Sequence, residues 1–293
     1  MAERMLQFVS VPQEMPEKRA AAERREDFGE IYRAFAVDHA EQQASRCSQC
    51  GVPFCSVHCP LGNNIPDWLK LTAENRLEEA YRLSAATNTF PEICGRICPQ
   101  DRLCEGNCVI QKDFESVTIG AVEKFITETA FEEGWVKPRQ PLKERSQSVG
   151  IVGAGPAGLA AAEWLRALGY QVHVYDRHDR IGGLMVYGIP SFKLEKHVIA
   201  RRHDLLKSQG IVFHLSTPIG GGAGETSFES CVRSTTRCFW ARASIARVRF
   251  PCRAAVWVVW FRRSTFLPLP TAVVTMKHRA TMPCFMPEAS MSS

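Results

Sequence analysis

Apolar and polar positions follow two different rhythms along this chain, and both stop near residue 220. Over residues 17–44, Phe28, Ile31, Tyr32, Phe35 and Ala36 recur at three-and-four spacing among Glu, Arg and Gln, which predicts one long amphipathic helix. Asn64 and Pro66 form a helix-start signal, with Ile65, Trp68, Leu69 and Leu71 as its apolar face, and a second short helix is predicted at 76–86. Ile119, Val122, Phe125 and Ile126 give residues 117–133 one apolar side and predict a further helix. The stretch 134–147, with Pro138, Pro141 and several charges, reads as a connection, the linker proper lying at 141–147.

Beyond it the rhythm becomes α/β. Residues 148–152 read as an apolar strand, 156–169 as an Ala-rich helix and 171–175 as a second strand. An amphipathic helix at 195–209, closed by Gly210, and a third strand at 211–215 follow. The fold class predicted is α + α/β: an all-helical domain over 1–140, then the first part of a Rossmann-like domain over 148–219.

From Gly220 onward the pattern breaks. The last 74 residues contain no Asp, only two Leu, and Arg at nine of ten basic positions. Four of the twelve cysteines are scattered there without spacing logic. Translation of a GC-rich gene in a shifted reading frame gives such a composition, and a divergent basic extension is the alternative. The first reading predicts an unstructured tail over 220–293. Charge breaks at the same place: the formal net charge of +5 divides into +7 for residues 220–293 and −2 for the first 219. The basic balance therefore belongs to a segment without the ordered aromatic or helical pattern of a nucleic-acid surface, and no nucleic-acid partner is expected. The longest apolar run of note, from Ala254 to Phe261, is eight residues, well short of the roughly 20 of a membrane span. With Glu3 and Arg4 and no apolar h-region, the N-terminus is not a secretory signal, so the expected location is cytoplasmic.

Eight cysteines fall in two blocks, Cys47-x2-Cys50-x4-Cys55-x3-Cys59 before Pro60, and Cys94-x3-Cys98-x5-Cys104-x3-Cys108 with Pro99 after Cys98. Disulfides do not suit a chain without a secretory signal. Zinc is an alternative, but zinc ribbons use two separated CxxC knuckles rather than four cysteines packed together. Short cysteine runs ending in Cys-Pro mark paired [4Fe–4S] clusters, and the first block fits that pattern better than the second.

Gly153-Ala154-Gly155-Pro156-Ala157-Gly158 follows the first α/β strand and opens its helix. Gly153 would make the tight turn, Gly155 let a pyrophosphate approach the backbone, and Gly158 permit close helix–strand packing. Asp176 closes the next strand, about 20 residues on, where an acid takes a ribose hydroxyl. The second glycine turn, Gly182-Gly183-Leu184, favours FAD over a nicotinamide nucleotide, and Asp176 would repel the 2′-phosphate of NADPH. Arg177 complicates this slightly and reads first as a solvated charge.

These residues carry a resemblance. Ala44-Ser-Arg-Cys-Ser-Gln-Cys-Gly-Val-Pro-Phe-Cys55, His58-Cys-Pro-Leu-Gly-Asn-Asn64 and Pro91-Glu-Ile-Cys-Gly-Arg-Ile-Cys-Pro99 resemble the small (beta) subunit of bacterial NADPH-dependent glutamate synthase. So do the glycine motif, Gly182-Gly-Leu-Met-Val-Tyr-Gly-Ile-Pro190 and Phe192-Lys-Leu-Glu195. Related modules occur in dihydropyrimidine dehydrogenase and transhydrogenase-type flavoproteins, so an iron–sulfur electron-transfer or docking module of such a complex is the alternative. The resemblance implies an oxidoreductase subunit in which NADPH reduces FAD and two [4Fe–4S] clusters pass electrons to FMN in a large (alpha) subunit that makes L-glutamate. It implies Cys47, Cys50, Cys55 and Cys108 for one cluster and Cys59, Cys98 and Cys104 for the other, completed by Cys94 or by Glu123. Family members continue into a second dinucleotide-binding domain for NADPH, which this sequence does not match after residue 219. The resemblance therefore implies a truncated copy, inactive alone with NADPH.

Overall fold

The computed structural model describes residues 5–220, 225–227, 230, 237–240 and 256–258. In place of one long helix over 17–44 it has α1 (Ala21–Asp27) and α2 (Val37–Ser45). The first ends at Phe28, which turns left-handed at φ 53° ahead of Gly29. The backbone then bonds to other segments: Arg19 donates to the Ile31 carbonyl and Arg33 to Glu17, both at 2.9 Å, and Ile31 to Phe192 at 3.3 Å. These tertiary bonds outcompete the local helical period. They also bury Phe35 and leave Phe28 exposed.

A 3-10 helix (Gln7–Val9) and six more α-helices complete the described N-terminal part: α3 (Phe54–Val57), α4 (Ile65–Ala73), α5 (Leu77–Ser84), α6 (Pro91–Ile97), α7 (Gln111–Phe114) and α8 (Ile119–Glu132). Ala40, Ala44, Ala80 and Ala130, all fully buried, let these helices approach closely around Trp68, Leu69, Val122 and Ile126. The Trp68 indole donates to Asn63 at 2.7 Å and Asn63 donates to the Ser84 carbonyl, so the buried polar groups here are satisfied. Among the described residues no helix is long and apolar enough to cross a membrane.

The second part runs β1 (Ser148–Val152), α9 (Pro156–Ala167), β2 (Gln171–Tyr175), α10 (Leu184–Tyr187), α11 (Lys196–Ser208) and β3 (Val212–His214). β4 (Ile219–Gly220) and β5 (Thr226–Ser227) pair with each other, and β6 (Arg237–Trp240) and β7 (Val256–Val258) join the main sheet. That sheet is parallel in the order β3-β2-β1-β6-β7. The chain reverses direction of winding between β1 and β6, so the crevice at the C-terminal end of β1 is where an open α/β sheet takes its ligand.

β5, β6 and β7 correct the expectation of a wholly unstructured tail. An unpaired edge of β1 templates any strand-prone segment, and Arg-Cys-Phe-Trp and Val-Trp-Val are strand-prone. The rest of 221–293, on which the shifted-frame reading rests, lies outside the described residues.

The two parts share a core. Phe90 and Ile93 at the start of α6 are buried with Ile151, Val174, Leu194, Val198 and Leu206 of the α/β part. The connection is tied down as well: Arg145 donates to the Gly169 carbonyl at 2.8 Å, and Glu144 pairs with Arg166.

Candidate functional site

Each cysteine block combines a short helix with irregular backbone on either side of it or after it. Cys47 follows α2 directly, and Gln49, left-handed at φ 51°, folds back so that its side-chain amide donates to the Cys47 sulfur at 3.3 Å. Cys55 lies on α3 and Cys59 in the turn just after it, while Cys94 lies on α6 and Cys98 at its end. All eight are free thiols, buried or half-buried.

The thiols fall into two electrostatic neighbourhoods. Burial pushes Cys55 up to about 12, with Cys47 and Cys108 adding to the rise. Burial also raises Cys47, with Cys108 and Cys50 close enough to contribute. The other neighbourhood joins Cys59 of the first block to three thiols of the second: burial raises Cys59, whose neighbours are Glu123 and Cys98, and burial raises Cys104, whose neighbours include Glu105, Glu123 and Cys59. Cys94 donates to Cys98, which raises the first thiol and lowers the second. Glu123 on α8 is pushed up to about 8 by burial and by the Cys98 thiol. Asn88 donates to its Oε1 at 3.1 Å, and the Ser84 hydroxyl reaches it at 3.4 Å. Cys94 and Glu123 both belong to this second neighbourhood.

Two sets of soft donors in low-dielectric surroundings fit iron–sulfur ligation. Burial disfavours the thiolates of Cys47, Cys55, Cys59 and Cys104, a cost that bound iron would offset, because metal ligands bind as thiolates. Among the described residues no three His, Cys, Asp or Glu side chains converge as a single-ion site requires. A cubane is several ångströms across and takes a wider ring of thiols.

The glycine crevice is built by two turns that lock together. Gly153, at φ 112°, ends β1, and its N–H donates to the Tyr175 carbonyl at 2.8 Å. Gly182 donates to the Ala154 carbonyl at 2.7 Å. Gly183, at φ 54°, lies so close that a Cβ there would stand 3.1 Å from the Gly155 Cα. Gly155 itself faces open space, where a Cβ would meet nothing within 4 Å. It caps α9, with Pro156 opening the helix and leaving the first-turn N–H groups free for an anion. Gly158 and Ala154 are buried, Ala157 is half-buried, and Leu184 and Arg177 are exposed.

Asp176 holds the loop together: its Oδ2 accepts from the Ala154 N–H at 2.7 Å and its Oδ1 from the His178 N–H at 2.9 Å. The His178 ring also lies 2.9 Å from Oδ1, a contact that the sequence pattern does not signal. Asn88, Ser84 and Arg202 lie outside the spaced motifs, and Glu92, although inside the run from Pro91 to Pro99, gives no sign there of its partner Arg202 on α11.

Residues 24–135 match the family model described as dihydropyrimidine dehydrogenase domain II, 4Fe-4S cluster, and residues 151–195 match the NAD(P)-binding Rossmann-like domain. The NADPH glutamate synthase small chain of Azospirillum brasilense is 66% identical over 222 residues, covering 75% of this chain and 46% of that one. That of Escherichia coli K12 is 47% identical over 220 residues, covering 75% and 47%. An E. coli protein named as an oxidoreductase, AegA, is 47% identical over 206 residues, covering 70% of this chain and 31% of its own. The chain spans about half the length of the glutamate synthase relatives it matches. With a 4Fe–4S domain leading into a Rossmann-like domain at this identity, three quarters of the chain corresponds to a segment of the glutamate synthase small chain.

Proposed function

We propose that this chain is the electron-entry part of an NADPH-dependent glutamate synthase, an oxidoreductase subunit that holds FAD and two [4Fe–4S] clusters. Bound FAD would accept a hydride from NADPH and release its electrons one at a time, and the clusters would offer those electrons a path to FMN in a large subunit, which would make L-glutamate from 2-oxoglutarate and glutamine. The residues of this chain hold and separate those groups.

On this reading Gly153, Ala154, Gly155, Pro156, Ala157 and Gly158 bring backbone N–H groups and the α9 N-terminus to the FAD diphosphate. Gly182, Gly183 and Leu184 line the flavin side, Asp176 takes the ribose, and Arg177 flanks it at the surface. Cys47, Cys50, Cys55 and Cys108 hold one cluster. Cys59, Cys98 and Cys104 hold the other, with Cys94 or Glu123 as the last ligand.

The observation that carries the proposal is the place of α6. It bears Cys94 and Cys98 and at its start buries Phe90 and Ile93 in the core beneath the glycine crevice. A thiol site and a flavin site on one shared core suit electron transfer between them. The test is photoreduction of flavin in the anaerobically reconstituted chain, followed by rapid-freeze EPR. Cluster signals that grow as reduced flavin decays support the proposal, and reduced flavin that persists beside oxidised clusters contradicts it. The AegA likeness favours a second reading, the same module serving another flavoprotein complex. Assembly with a glutamate synthase large subunit separates the two.

A further inference from the structure

Arg46 closes α2 immediately before Cys47 and is completely buried. Its guanidinium is always charged. Yet its N–H groups go only to backbone carbonyls: Nε to Val11 at 2.9 Å, Nη1 to Ser116, and Nη2 to Phe114 and to Glu115 at 3.2 Å. Among the described residues it has no ion pair with a carboxylate. The three carbonyls from 114–116 converge because Glu115 takes a positive φ of 58°. Carbonyls satisfy hydrogen bonds but do not neutralise a charge, and an uncompensated buried cation is costly. The other buried guanidiniums among the described residues are treated differently: Arg96, Arg166 and Arg202 each pair with carboxylates.

The groups within electrostatic reach of Arg46 are Glu115, whose side chain is on the surface, and the thiol of Cys108. Cys47 is its sequence neighbour. Both thiols belong to the first neighbourhood, with Cys50 and Cys55. The second neighbourhood has carboxylates, Glu105 and Glu123, beside its thiols instead.

We infer that Arg46 is the counter-cation of the cluster held by Cys47, Cys50, Cys55 and Cys108, and that it raises that cluster's reduction potential. This rests on the iron–sulfur reading above. Four thiolates give the cluster a net negative charge, and gaining one electron makes it more negative. A fixed positive charge nearby stabilises the reduced form more than the oxidised form, since net charge and its surroundings set such potentials. Arg46 is thus a positioning and tuning residue: its carbonyl contacts also tie the segment after Cys108 to the end of α2.

Arg46→Gln and Arg46→Lys separate charge from bracing. The full chain, reconstituted anaerobically with iron and sulfide, is analysed for iron content and titrated redox-wise by EPR, with Cys55→Ser identifying the first cluster's signal. Arg46→Gln shifts that signal's midpoint to more negative potential and leaves the second cluster's midpoint in place, while Arg46→Lys shifts it much less. Unshifted midpoints in a fully loaded Arg46→Gln chain overturn the inference. Should Arg46→Gln fail to load the first cluster, loading restored by Arg46→Lys supports the counter-charge, and loss in both variants shows bracing alone and overturns it. A wild-type chain that takes up no cluster overturns the functional reading itself, so the two failures are distinct.

Discussion

Arg202 grips Glu92 through two hydrogen bonds of 2.7 Å, although the residues lie 110 positions apart. Their side chains are 4% and 0% exposed. Glu92 stands on α6, two residues before Cys94, and Arg202 on α11 of the α/β part. The Phe90 ring lies 5.4 Å from the guanidinium, and Glu163 approaches its other side at 3.8 Å. This pair pins the helix that carries two thiols to the half that carries the glycine crevice.

Removing either partner strands a buried charge. Glu92→Gln or Arg202→Met is predicted to lower unfolding free energy by about 3–5 kcal/mol, read from denaturant midpoints. The double variant Glu92→Leu with Arg202→Met recovers part of that loss, because the pair is removed together and Glu163 keeps its contact with Arg139. Additive losses in the double variant would contradict the pairing.

The two glycine turns respond oppositely to alanine. Gly155→Ala adds a methyl group to open space at an ordinary φ of −78°, so protein stability stays within about 0.5 kcal/mol. FAD affinity is predicted to fall about tenfold or more, since the proposed site has the diphosphate approach through that space. Gly183→Ala forces a side chain onto positive φ and against the Gly155 backbone, so it lowers stability as well as flavin content. Thermal melts with and without FAD distinguish them.

Glu128 lies between Arg96 of α6 and Arg201 of α11. Burial pushes its carboxyl up, but Arg201 and Arg96 together outweigh burial and hold it below the ordinary 4.5. With its folded pKa depressed, the unfolded chain takes the proton first as pH falls. The stabilisation is therefore complete above the ordinary carboxylate range and is lost as pH drops through the folded value. The stability gap between wild type and Glu128→Gln is predicted to narrow on acidification from about pH 5 to about pH 3. A gap independent of pH would remove the ion pair from the account.

On the proposed assignment, Cys94 and Glu123 are the alternative last ligands of the second cluster. Both touch Asn88: Glu123 accepts from its amide nitrogen at 3.1 Å, and the Cys94 thiol lies 3.6 Å from its oxygen. Cys94→Ser and Glu123→Gln discriminate between them. The variant that removes the ligand lowers bound iron by about one to four atoms per chain and changes one EPR signal. The other variant keeps both clusters. Two fully loaded variants would exclude both residues.

Much of this was legible in the sequence because it depends on spacing. Cysteine runs, the glycine motif before a helix, and the period of α8 are local features, and each lies where the pattern predicts it. The long helix over 17–44 failed because the stretch folds back on itself, Arg33 bonding to Glu17 and Arg19 to Ile31, and because Ile31 bonds to the distant Phe192. Arg46 and the Glu92–Arg202 pair were hidden for the same reason. Their roles come from burial and from partners far along the chain. The strands β6 and β7 depend on pairing that composition does not signal, β6 on the edge of β1 and β7 on β6.

The most direct test of the central claim is the content of anaerobically reconstituted chain: iron, acid-labile sulfide and flavin, measured on one sample. Two [4Fe–4S] clusters and one FAD predict about eight iron atoms, about eight sulfides and one FAD per chain. Stoichiometric zinc without sulfide, or iron–sulfur clusters with no flavin retained at saturating FAD, would contradict it.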